Sequence, residues 1–165
     1  MPKGPAARVG DPVSHPLPPI LTGMGSTNVL IGKRPAWRGM PAAAAPGLLS
    51  AKQSADAAIK VAEATTLASA GTPGFPAAKA AEETLKAATA SAMGSLIAAA
   101  SGGADLHTCA TPLPIPPHGP GVVIDGSATV RINGFPACRA GDTIVEAVGP
   151  PNKIAGGEPT VMIGG

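Results

Sequence analysis

Aromatic residues are almost missing: Trp37, Phe75 and Phe135 are the three among 165 positions, and tyrosine is absent. Large rings bury more surface than other side chains, so this scarcity argues against a broad aromatic-centred enzyme core. Charge is also scarce, at 13% of residues with a formal net charge of +2. That is too little for a disordered polyelectrolyte. A nucleic-acid binder needs a dense basic patch, and here lysine and arginine are scattered. Two cysteines, Cys109 and Cys138, make no disulfide framework, although a single bridge between them stays open. The first nine residues lack an apolar core, so no secretory leader is expected. There is no Gly-x-Ser-x-Gly elbow and no Gly-Lys-Ser/Thr phosphate loop, and no enzymatic activity is expected.

Glycine (22) and proline (20) are abundant instead. Composition divides the chain into Gly/Pro-rich outer parts, 1–40 and 105–165, and an Ala-rich middle, 41–104. The outer parts share a repeat. Ser26-Thr27-Asn28-Val29-Leu30-Ile31-Gly32 leads to Pro35-Ala36-Trp37-Arg38, and Ser127-Ala128-Thr129-Val130-Arg131-Ile132-Asn133-Gly134 leads to Pro136-Ala137-Cys138-Arg139. A third copy is split between Pro159–Gly165 and Pro5-Ala6-Ala7-Arg8. Each copy reads as a β-hairpin, because Val, Ile and Thr favour pleated strands and glycine opens the turn. The split copy requires the two ends of the chain to pair. Three such units around one axis predict a mainly β, pseudo-threefold object whose core forms only where neighbouring units pack. Asp11, Asp105 and Asp142 follow the three Pro-Ala-x-Arg segments and are expected to stabilise turns. Trp37 is expected either to anchor a partner at the base or to cover the join with the middle segment. Cys138 is expected to be a small buried thiol.

The middle segment predicts two helices, Leu48–Ala70 and Ala77–Ala100, joined by a turn at Thr72-Pro73-Gly74-Phe75-Pro76 and stopped at Gly102-Gly103. Asp56–Lys60, Lys79–Glu83 and Glu82–Lys86 are i,i+4 pairs. Ile59, Ala62 and Thr66 mark one packing stripe, and Leu85, Ala92, Met93 and Leu96 another. This inserted helical hairpin reads as a structural insert or as a docking arm for a shaft, effector or chaperone. As a membrane segment it is poor, since residues 87–104 are uncharged but dominated by small residues.

The Pro-Ala-Ala-Arg motif at 5–8 and its variants at 35–38 and 136–139 resemble the PAAR-repeat family. So do Gly10-Asp11-Pro12-Val13-Ser14-His15, Asp105-Leu106-His107-Thr108-Cys109 and Pro117-His118-Gly119-Pro120-Gly121. The resemblance covers roughly residues 2–40 and 103–165. It implies a conical β-fold that caps the trimeric VgrG-like spike of a type VI secretion or related contractile injection machine, with zinc near the tip. It also implies transient contact with a target membrane, effector delivery, and a bacterial cytoplasmic origin before firing. No long toxin domain is expected after Gly165.

A metal site can be read from the residues as well. The three histidines, His15, His107 and His118, lie in the Gly/Pro-rich parts, and His107 stands two residues from Cys109. Three His and one Cys supply the four N/S ligands of a structural zinc. Four residues after each repeated Asp stand His15, Cys109 and Glu146; the expected set is His15, His107, Cys109 and His118, with Glu146 able to replace one of them, and ordinary surface histidines without metal are the alternative reading. A filled shell leaves no open position for catalysis, and metal can substitute for an apolar core in a narrow apex.

Overall fold

Four small antiparallel sheets and two long helices make up the computed structural model, which describes residues 3–14, 20–109 and 118–164, apart from the Cys109 side chain. The strands are β1 (Gly4–Ala6), β2 (Leu30–Ile31), β3 (Arg34–Pro35), β4 (Leu106–Cys109), β5 (Gly119–Val123), β6 (Arg131–Ile132), β7 (Phe135–Pro136), β8 (Thr143–Glu146), β9 (Asn152–Lys153) and β10 (Glu158–Ile163). The helices are α1 (Ala45–Ala68) and α2 (Phe75–Ser101). The mainly β expectation is therefore corrected to mixed content: α1 and α2 hold 24 and 27 residues, more than all the strands together. Alanine has the highest helix propensity, and a long Ala-rich insert shifts the balance.

Each repeat forms a narrow antiparallel pair. β2 pairs with β3 through Gly32 and Lys33, and β6 with β7 through Asn133 and Gly134; all four turn residues have positive φ. Two such residues make the tight turn whose twist suits a hairpin. The split copy closes as expected, with Pro5 opposite Met162 and Gly4 opposite Ile163.

The Pro-Ala-x-Arg segments then close a ring. Ala7 N donates to Cys138 O at 2.9 Å, Trp37 N to Ala7 O at 2.9 Å, and Cys138 N to Trp37 O at 3.1 Å. Bridges Arg8 to Ala36, Arg38 to Ala137 and Arg139 to Ala6 complete the circuit. Ala7, Trp37 and Cys138 are all buried in one apolar cluster with Val13, Leu21, Val123, Ile144 and Ile154. Trp37 thus lies in the core, and the expectation that it meets a partner or covers the insert is corrected: one large ring fills the axis beside two small neighbours. Cys138 is a free buried thiol, and burial pushes its pKa well up.

The repeated aspartates do more than shape turns. Asp11, Asp105 and Asp142 each accept the backbone N–H and the guanidinium of their motif arginine, Arg8, Arg38 and Arg139. Burial pushes Asp142 up to about 6, against the pull of Arg139. The turns match as well: Asp N donates to Arg O at 3.1 Å (Asp11 to Arg8), 3.1 Å (Asp105 to Arg38) and 3.2 Å (Asp142 to Arg139). In two units this turn is Arg-x-Gly-Asp, whereas in the other the helical hairpin occupies its middle, between Arg38 and Asp105, and leaves the clip intact.

A second circuit follows the ring. Val13 bridges Ile154, Pro12 bridges Ile20, and Thr22 Oγ1 donates to Thr108 O at 3.0 Å while accepting from Thr108 N at 3.1 Å. The sheet β4-β5-β8-β9 closes the rest. Alternation gives this sheet two buried faces. Val123 and Ile144 point into the axial core, and Val122 and Val145 pack under the helices with Leu48, Met93 and Ile97.

The helix pair is apolar where it covers the sheet and polar further out. Buried positions are Leu48, Lys52, Ile59 and Thr66 on α1 and Glu82, Met93, Ile97 and Ser101 on α2. The expected α2 stripe is corrected: Ala92 and Leu96 are exposed, while Ile97 and Glu82 turn inward. Glu82 accepts from Lys86 at 2.7 Å and Lys79 at 2.9 Å, and these cations, Lys86 foremost, hold its carboxyl down at about 2. Asp56 pairs with Lys52. Among the described residues no helix is long and apolar enough to cross a membrane.

Candidate metal centre

The inward face of β4-β5-β8 turns polar at one end. His107, Gly121 and Glu146 form one row across the three strands. Gly121 has no side chain to separate its neighbours; a Cβ there would lie 2.8 Å from Glu146 Cγ. His107 and Glu146 therefore meet over it, with Nε2 and Oε1 3.7 Å apart. His118, just before β5, brings Nδ1 to 2.7 Å from Glu146 Oε2. All three side chains are buried. Asn152 Nδ2 donates to Glu146 Oε1 at 3.5 Å, and Ser14 Oγ donates to Asn152 Oδ1 at 2.6 Å.

A buried carboxylate against two imidazoles orients them. With Glu146 taking Nδ1–H of His118, Nε2 is the nitrogen that would face a metal, an arrangement typical of ligating histidines. Nε2 faces Gly149, whose φ is +91° and where a Cβ would lie 2.8 Å away. The missing Cβ leaves space at that nitrogen. Two imidazoles, one of them oriented by a buried carboxylate, are zinc-type donors in their chemistry.

Of the four expected ligands, His107 and His118 come together here. His15 lies outside the described residues, as does the side chain of Cys109; the backbone of Cys109 pairs with Gly119, two positions along β4 from His107. Among the described residues no three acidic, His or Cys side chains already stand as a metal-binding group. Glu146 is the site residue whose part the sequence left open. His107 also carries a sequence signal: it stands two residues after its Asp, where the other units have Val13 and Ile144 in the core. A histidine in an apolar slot marks the unit that departs from the pattern.

Residues 114–165 match the PAAR motif family. No curated protein matches the chain.

Proposed function

We propose that this PAAR-repeat family protein is a non-enzymatic, zinc-stabilised tip that caps the trimeric VgrG-like spike of a type VI secretion or related injection machine. The motif itself points to a spike-tip-related role. The observation that carries the finer reading is the closed ring of Ala7, Trp37 and Cys138, because a threefold partner is matched by three equivalent edges. Opposite the proline of each motif stand Leu30, Arg131 and Met162. Leu30 is 62% and Met162 55% exposed, so two of these three positions offer apolar contact to a shaft.

Rigidity is the mechanism. The ring and its three Arg–Asp clips stiffen the base. At the other end His107 and His118, with Cys109 and His15, would hold zinc while Glu146 orients His118. Bound zinc supplies a structural cross-link where apolar packing runs out. The tip would leave the cytoplasm with its machine and meet the target membrane transiently. The distal half of the helix pair exposes Val61 and Leu67, which favours a second role as a landing place for an effector or chaperone.

Two measurements test this. Elemental analysis should find about one zinc per chain, falling below half in His118→Ala; a metal-free, folded wild type would overturn the zinc reading. Sedimentation with a trimeric spike protein should give one chain per trimer. Leu30→Asp combined with Met162→Asp should weaken that complex at least about tenfold, and unchanged binding would place the contact elsewhere.

A further inference from the structure

His118 sits at a strand end that both helices of the insert grip. On one side α1 reaches it through Lys52, which is only 5% exposed although it is a lysine. Lys52 Nζ donates to the carbonyl of Gly149 at 2.9 Å and is also paired with Asp56. Gly149 is the residue whose Cα faces His118 Nε2. On the other side α2 approaches Pro120 through Gly94, where a Cβ would lie 3.2 Å from Pro120 Cγ. Between these contacts the two strands are joined by Val148 N donating to His118 O at 3.1 Å and Ala147 N to Pro120 O at 3.1 Å. Lysine is almost never buried without a partner, and this one spends its burial on a single loop carbonyl and the neighbouring Asp56.

We propose that the helical insert is a clamp on the metal-bearing strand end, with Lys52 as its positioning residue. The ammonium fixes the Gly149 carbonyl. Gly149 in turn bounds the space that His118 Nε2 faces, so a fixed Gly149 keeps that space and the imidazole in one setting. Gly94 lets α2 come close enough to hold Pro120 from the opposite side. The insert and the metal centre are then mechanically one unit: a load on the helices is felt at His118. The zinc part of this inference rests on the metal reading above; the clamp itself does not.

Lys52→Met in the full chain separates the two. Methionine keeps the apolar stem packed and strands no buried charge, since Asp56 remains partly solvated. Its melting temperature should stay within about 4 °C of wild type. Hydrogen exchange at the Val148 amide, measured on metal-free protein, should speed up at least about tenfold, because that bond opens locally once the loop is loose. Zinc release to a chelator should accelerate about tenfold or more, as for lost outer-shell support. Lys52→Arg, which restores a donor, should return both rates to within about threefold of wild type. Unchanged Val148 exchange in Lys52→Met would overturn the clamp. Faster exchange with unchanged zinc release would overturn the positioning of His118. Faster exchange in a chain that binds no zinc even as wild type would uphold the clamp and overturn the metal reading alone.

Discussion

Trp37→Ala should destabilise the chain by about 3–5 kcal/mol, the range for deleting a large buried ring. Trp37 is fully buried on the axis, and its own backbone is part of the ring, donating to Ala7 O and accepting from Cys138 N. Its neighbours at equivalent positions are an alanine and a cysteine, too small to fill the space. Collapse is further blocked because the surrounding backbone is tied into a closed circuit. Gly23 is matched to the indole as well, since a Cβ there would stand 2.7 Å from it. Among the described residues the indole N–H has no hydrogen-bond partner, so Trp37→Phe removes that buried donor as well as volume and should cost less than Trp37→Ala. Equilibrium urea unfolding checks both. A loss below about 1 kcal/mol for alanine would mean the ring can close over the gap.

Excising the helical hairpin should leave a folded ring that self-associates more than the full chain does. The design replaces residues 39–104 with Val-Gly, the pair that stands between Arg8 and Asp11. The turn is already shaped for it, because Asp105 N donates to Arg38 O at the same 3.1 Å as Asp11 N to Arg8 O. The cost lies elsewhere. Leu106, Val122, Ile124 and Val145 lose their cover, and each aliphatic side chain left in water forfeits up to about 1.5–3 kcal/mol. Summed, that rivals the whole stability of a domain, so the bared face should recruit a second copy. Sedimentation should show dimers or larger species. Val122→Thr with Val145→Thr should restore monomers with a native-like Trp37 emission. An excised chain that stays unfolded even with these threonines would show that the insert is needed to close the ring.

The ring was legible because its parts are literal: three Pro-Ala-x-Arg segments, one completed by Pro159–Gly165. The pairing of Pro5 with Met162 follows from that split copy. The Arg–Asp clip was less visible. In two units the aspartate stands three residues after the arginine, a spacing that a turn explains equally well; in the other the insert separates Arg38 from Asp105 by 67 positions. The helices were legible in extent but not in orientation. In α2 alanine is spread over all faces, so the apolar pattern could not tell Leu96 from Ile97, and Glu82 looked like a surface residue until Lys79 and Lys86 were seen to enclose it. Counting from each Asp found Glu146 but not its task, since that depends on Gly121 letting His107 across. Lys52 gave no signal at all: its acceptor is a backbone carbonyl 97 residues away.

The ring also sets an order of events in time. Its first member, Ala7, waits for Cys138, and β1 waits for β10, so the contacts that close the ring span nearly the full sequence. Long-range closures are slow to form. The α1–α2 pair needs only local contacts and can form while the rest is still being made. A nascent chain would thus carry a finished helical hairpin beside unpaired strand edges, the state in which strands associate wrongly. Proline at position 5 of β1 and in β3 and β7 removes a donor from each waiting edge. The residues that name the motif thereby also protect it during synthesis.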